Sequence, residues 1–229
     1  MKTRLLLPAA GMGLRLGCDG PKALVDLDGR PMLAVTLDRF AGLDLALPVI
    51  ITAPADFFPL FDAALANARP ALPWRLVAGG ADRQESVALG LAVLEGDADI
   101  VVIHDAARPF VAAQSILDSI TAAQAHGAAT VAVPVVDTIL EADAEAFLAA
   151  TPDRSRLWAC QTPQTFRLEV ILEAHRRAAA EGHCGTDDAS LVRRMGLPVK
   201  LVRGTPENIK VTTPYDLRTA RWMVREGKP

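Results

Sequence analysis

The chain is poor in cysteine. Cys18, Cys160 and Cys184 are the only three in 229 residues, far apart and without a C-x-x-C pair. An odd, scattered set rules against a disulfide framework or a zinc site and fits a reducing cytoplasm, where we expect the protein to work. Excess charge of one sign is also missing. The formal net charge is −3, which gives no general grip on nucleic acid or membrane. No apolar run approaches the roughly 18 residues of a membrane helix. "MKTRLLLPAAG" has the cations of a signal peptide, but Pro8 ends its apolar stretch after three leucines. Neither repeats nor low-complexity tracts occur.

Short apolar runs are what the chain does have. They are "RLLLP" (4–8), "PVIIT" (48–52), "WRLVA" (74–78), "DIVVIH" (99–104), "ATVAVPVV" (129–136) and "VKLV" (199–202). Continuous apolarity suits strands covered on both faces. Helical spacing lies between them, at Leu33, Leu37 and Phe40, at Val87, Leu91 and Leu94, and at Ile116, Ile120 and Ala123. Strand–helix alternation over this length predicts one α/β domain spanning 1–229, with a single doubly wound, mainly parallel, Rossmann-like sheet. The rhythm breaks between Val136 and Leu157, before "LWACQTPQTF". A protruding β-arm and a surface loop with a short helix in "DAEAFLAA" both suit that break.

Five segments carry candidate chemistry. "LLLPAAGMGLRLG" runs a strand into a loop with Gly11, Gly13 and Gly17. This is neither G-x-G-x-x-G nor a Walker loop, because Leu16 and Gly17 stand where those patterns need other residues. Glycines still let backbone N–H groups turn toward an anion, and Arg15 and Lys22 add cations. "GGADRQESVALG" places Arg83, Ser86 and Gly90 on one helix face. Ala9, Ala10, Gly11, Gly79, Gly80, Ser86 and Gly90 are small enough to bring the main chain close to a flat base. "DIVVIHDAARPF" ends a strand in His104, Asp105 and Arg108. Asp105 suits a hydroxyl or a hydrated Mg²⁺, and His104 suits a structural role. In "GTDDASLV", Thr186 is a helix cap and Asp187 and Asp188 favour the helix's positive end. In "ENIKVTTPYDL", Thr213, Pro214 and Asp216 spell a helix start, with Lys210 at the end of a preceding strand.

Taken together, "PAAGMGLRLG", "PK", "GGADRQESVALGL", "VVIHDAARPF", "PVVDTI", "DRSRLWACQTPQTF", "TDDAS" and "NIKVTTPYDL" resemble the 2-C-methyl-D-erythritol 4-phosphate cytidylyltransferases across residues 8–217. The resemblance implies transfer of CMP from CTP to a polyol phosphate, with Mg²⁺ on the triphosphate. It implies CTP binding by Pro8, Ala9, Ala10, Gly11, Gly13, Gly80, Arg83, Ser86, Asp105 and Ala106, with Asp105 a candidate metal ligand. Arg15, Lys22, Arg154 and Lys210 become the catalytic cations. Asp105, Arg108, Thr138, Arg154, Thr162, Thr186 and Lys210 would face the polyol phosphate. The arm, at about 136–158, would cross to a second subunit of a homodimer and bring Thr138 and Arg154 into the partner's site. Two departures are Leu140, where a lysine often follows "DTI", and "PKALV", where many members carry glutamine and tyrosine after the lysine. Ribitol 5-phosphate is an alternative acceptor, and a non-catalytic nucleotide-binding regulator is a more remote reading. The length leaves no room for a fused cyclase domain.

Overall fold

The computed structural model describes residues 1–17 and 20–227; Cys18 lies outside the described residues. Eleven strands are described: β1 (Thr3–Pro8), β2 (Asp26–Leu27), β3 (Arg30–Pro31), β4 (Val49–Ala53), β5 (Trp74–Ala78), β6 (Ile100–Ile103), β7 (Ala128–Pro134), β8 (Glu141–Ala142), β9 (Leu148–Ala150), β10 (Trp158–Arg167) and β11 (Lys200–Arg203). The α-helices are α1 (Met32–Asp38), α2 (Phe58–Ala68), α3 (Arg83–Ala92), α4 (Ala113–His126), α5 (Leu168–Ala180), α6 (Asp188–Arg194) and α7 (Pro214–Arg225).

Seven strands form one sheet in the order β11-β7-β10-β6-β1-β4-β5. All neighbours pair in parallel except β10, which is antiparallel to both β6 and β7. The parallel strands at the centre are mostly apolar because both faces are covered. Leu5 and Leu7 of β1 join one buried cluster with Leu33, Phe40 and Phe61, while Leu6 joins another with Val87, Leu91 and Phe166. Alternate residues of one strand therefore feed opposite layers.

β10 accounts for the break in the alternation. It enters the sheet between β6 and β7, although Pro163 breaks its pattern and a central strand rarely accepts proline. A register shift between Cys160 and Gln164 takes the intervening residues, Pro163 among them, out of the ladder with β7. The "DAEAFLAA" stretch is not helical. β8 and β9 pair as a short hairpin there, and residues 136–151 are all exposed.

Two local readings change. Thr186 is exposed and does not cap α6; Asp187 does, its carboxylate accepting from Ser190 N–H at 2.9 Å. Both are capping types, and it is the Asp, one position later, that reaches the helix N–H groups. Lys210 is not at a strand end. Its segment is irregular, pinned by Val211 N–H to Ala107 C=O at 2.9 Å. The capping box of α7, Thr213 with Asp216, is present as read. Among the described residues no helix is long and apolar enough to cross a membrane.

Gly90 faces the sheet and seats α3 on it. A Cβ there would collide with Leu6 Cδ1 and lie 3.0 Å from Thr52 Cγ2. Alanine gains about 1 kcal/mol in helix propensity, but overpacking a closed core costs about 1–3 kcal/mol. Leu6 is fully buried and has nowhere to go. Gly90→Ala should therefore lower Tm by about 2–4 °C in a thermal melt. A rise in Tm would show that the helix lifts off the sheet at little cost.

Candidate active site

The topology reverses at β1, whose next strands in this sheet, β4 and β5, lie to one side and β6 to the other. Open α/β sheets bind ligands at such a switch, beyond the carboxyl ends of the strands. A cleft of about 280 Å³ lies there. The loop after β1 supplies Pro8, Ala9, Ala10, Gly11, Arg15 and Lys22 to its lining. The start of α3 adds Gly80, Arg83 and Ser86, the turn after β6 adds Asp105 and Ala106, and Lys210 completes it. Twelve candidates that are up to 202 residues apart in sequence thus share one cavity.

The first loop is tied to its own cation. Lys22 N–H donates to Gly11 C=O at 2.9 Å, so the chain returns to the loop it left. Gly13 does not line the cleft. It turns the loop at φ +70°, and a Cβ there would press on Lys22 Cβ at 3.0 Å. At α3, Asp82 caps the helix by accepting from Glu85 N–H at 2.8 Å. The Ser86 hydroxyl donates to Asp82 C=O at 2.7 Å and accepts from Gly80 N–H at 3.0 Å. Ser86 therefore shapes the glycine turn from a buried position.

Asp105 is the hub. Its Oδ1 accepts from Arg83 Nε at 3.0 Å, and its Oδ2 is 2.7 Å from Lys210 Nζ and 4.0 Å from Arg108 Nε. Burial alone would push its carboxyl up, yet Arg83, Lys210 and Arg108 hold it well below the usual carboxylate range. Both oxygens are thus committed to cations. Among the described residues no group of three or more His, Cys, Asp or Glu is placed to hold a metal. The donor set does not fit a resident divalent ion, and Asp105 acts as a counter-ion here.

His104 lies directly beneath. It is fully buried, its pKa is pushed down to about 4 by that burial, and it is neutral at physiological pH. Its Nε2–H donates to Arg108 C=O at 3.0 Å, and its Nδ1 accepts from the Thr162 hydroxyl at 3.0 Å. Thr162 Oγ1 in turn accepts from Asp105 N–H at 3.1 Å. Thr162 is therefore buried under the hub instead of facing the cleft. Arg108 is also turned away, donating to Asn208 C=O at 2.7 Å and Cys160 C=O at 3.2 Å. Thr186, Thr138 and Arg154 do not line the cleft of their own chain. Arg154 donates instead to Val136 C=O at 3.0 Å within the arm.

The sequence reading misses Ala23, Ala81, Asp82 and Ala107 in the lining. Asp82 is legible in principle, since Asp followed three residues later by Glu marks a helix start. The partner of Arg83 on its far side is missed as well. Asp188, which the sequence marks only as a charge at a helix end, accepts from Arg83 Nη1 at 2.7 Å.

The family model for 2-C-methyl-D-erythritol 4-phosphate cytidylyltransferase matches residues 3–226. The chain belongs to this family. A relative of that name from Symbiobacterium thermophilum is 44% identical over 97% of this chain and 92% of its own. The crystal structure of the enzyme of that name from Thermus thermophilus superposes with a TM-score of 0.81 at 36% identity, covering 98% of this chain and all of that one. The 4-diphosphocytidyl-2C-methyl-D-erythritol synthase of Anaerococcus prevotii gives 0.86 at 27% identity, covering 98% and 96%.

The charge of Lys22 is perturbed by its surroundings. Burial, then repulsion from Lys210, brings its pKa down to about 8, against the pull of Asp105. A lysine shifted downward loses its proton as pH rises through that lowered value. Because kcat/KM reports ionisations of the free protein, kcat/KM for CTP should therefore fall as pH rises through about 8. Lys22→Arg should keep its charge and show no such fall. Steady-state kinetics at pH values on either side of 8 check this. A decline shared by both proteins would assign it to another group.

Proposed function

We propose that this cleft carries the chemistry of the family: CMP passes from CTP to 2-C-methyl-D-erythritol 4-phosphate, releasing pyrophosphate and forming 4-diphosphocytidyl-2-C-methyl-D-erythritol for non-mevalonate isoprenoid biosynthesis. The observation that carries it is the lining itself. Arg15, Lys22, Arg83 and Lys210 face two carboxylates, Asp82 and Asp105, so the cavity holds a net positive charge suited to polyanions.

A phosphate monoester is already nucleophilic near neutral pH. Its oxygen forms a bond to the α-phosphorus of CTP while the bond to the pyrophosphate oxygen breaks. The barrier is electrostatic and entropic, so positioned cations and N–H groups suffice. Arg15 and Lys22 sit on the loop that would wrap the triphosphate, and they would stabilise charge at the α-phosphoryl group. Lys210, oriented by Asp105, would hold the attacking phosphate. Mg²⁺, held by the phosphates of CTP and by water, would neutralise part of the triphosphate charge. We place the reaction in the cytoplasm.

Thr138 and Arg154 act in this reading from a second copy. The arm exposes Val136, Leu140, Phe147 and Leu148, an apolar set suited to burial against a homodimer partner.

Two measurements test the reading. Pyrophosphate release from CTP should be fast with 2-C-methyl-D-erythritol 4-phosphate and slow with ribitol 5-phosphate. Lys22→Ala should lower kcat by roughly 10²–10³ while changing KM for CTP far less. Faster turnover with ribitol 5-phosphate would change the acceptor, and no release with either would remove the catalytic assignment. For the arm, Lys22→Ala and Arg154→Ala subunits are each expected to be inactive. Mixed, they form hybrid dimers with one site carrying both lesions and one carrying neither, so activity should partly return. Subunit exchange without recovery would place Arg154 in its own chain's site.

A further inference from the structure

Arg83 reaches into the cleft from the first turn of α3, and it is held from two sides. Nε binds Asp105 at 3.0 Å and Nη1 binds Asp188 at 2.7 Å. Asp188 is 1% exposed and belongs to α6. Its backbone is fixed independently, since Gln164 Oε1 in β10 accepts from Asp188 N–H at 3.0 Å and Ala189 N–H at 3.1 Å. Its other oxygen, Oδ1, accepts from His175 Nε2–H at 3.1 Å. His175 is on α5, buried, and outside the cleft lining. Nothing in the reaction uses it directly.

We propose that His175 is a positioning residue for nucleotide binding, acting through Asp188 on Arg83. The physical argument is one of divided lone pairs. A buried carboxylate oxygen left without a donor costs free energy that the site recovers by moving. Without the His175 donor, the Asp188 carboxylate rotates to share Arg83 between both its oxygens. That draws the guanidinium back toward α6 and away from Asp105. With the donor in place, Asp188 Oδ1 is satisfied and only Oδ2 faces Arg83. The guanidinium is then split between two carboxylates, with Nη2 left free of any partner among the described residues. His175 thereby sets how far Arg83 extends into the cleft.

The proposal rests on the nucleotide-binding role given to Arg83, and a double-mutant cycle separates the two. Steady-state kinetics and thermal melts are measured for His175→Leu, Arg83→Gln and the double variant. His175→Leu should raise KM for CTP by about 3- to 30-fold with kcat within about twofold, the range of coupling within one buried network. His175→Gln, whose amide N–H lies at the same reach, should restore KM. In the Arg83→Gln background, His175→Leu should add nothing to KM, although both still lower Tm. An unchanged KM in His175→Leu, or effects that add in the double variant, would overturn the relay and reduce His175 to packing. If Arg83→Gln itself leaves KM for CTP unchanged, the nucleotide role of Arg83 fails and the relay falls with it. Should His175→Leu not fold, His175→Asn carries the test, because its amide stops one bond short. A raised KM in Asn with a normal KM in Gln supports the relay, and equal values overturn it.

Discussion

The cleft depends on one buried carboxylate. Asp105 stands where β6 ends and lies within reach of Arg83, Lys210 and Arg108. Three cations brought this close without it would repel one another in a poorly solvated place. Desolvating a carboxylate is costly, and a single partner does not always repay it. Three partners do so here, which is why Asp105 is held ionised despite its burial. The same charge opposes the three effects that weaken the charge of Lys22, namely burial and the nearness of Lys210 and of Arg15. A binding site for polyanions must concentrate positive charge before the ligand arrives. Asp105 makes that concentration stable in the free protein.

A hub works only if its backbone is fixed. The neutral imidazole of His104 does this without adding charge. It spans Thr162 on β10 and the carbonyl of Arg108, while Thr162 takes the N–H of Asp105. A charged histidine here would join three cations, and burial prevents that by holding its pKa near 4. The register shift of β10 is part of the same arrangement. It lies between Cys160 and Gln164, where Gln161 binds Thr205 C=O, Thr162 supports Asp105 and Gln164 anchors α6. An irregularity in the sheet thus becomes the place from which two loops and the start of a helix are held.

Much of this is legible in the sequence because it is local. Apolar runs mark six of the seven sheet strands, and in β1, β4, β6 and β7 burial on both faces leaves no alternation to confuse them. The loop after β1, the turn after β6 and Lys210 carry residue types that suit phosphate, and the structure gathers them in one cavity. β10 is harder to read, because Pro163 argues against a central strand and nothing local announces the register shift that accommodates it. Thr186 and Asp187 are both cap formers one position apart, so composition does not choose between them. Thr162 and Arg108 have side chains suited to a ligand, and only the fold shows that other groups of the chain have claimed them. The pairing of Arg83 with Asp188 crosses 105 residues and has no periodic signature at all.

The distribution of cations between core and arm carries a further consequence. Arg15, Lys22, Arg83 and Lys210 are followed closely by residues buried in the core, Leu16, Ala23, Val87 and Val211, and hydrogen bonds to Gly11 and Ala107 fix two of those segments. Their geometry is set by the chain's own core. Arg154 is exposed instead, on a turn joined to β7 through Leu157. Residues 136–151 beside it are exposed, and its side chain donates to Val136 in the same arm. A long side chain on an unpacked ribbon loses too much rotamer freedom to hold a phosphate in line at small cost. A catalytic role for Arg154 therefore needs a second surface to pack the arm. The exposed Val136, Phe147 and Leu148 give that surface something apolar to bury. On this argument dimerisation is a condition of positioning: the same contact that buries the arm would orient the last cation.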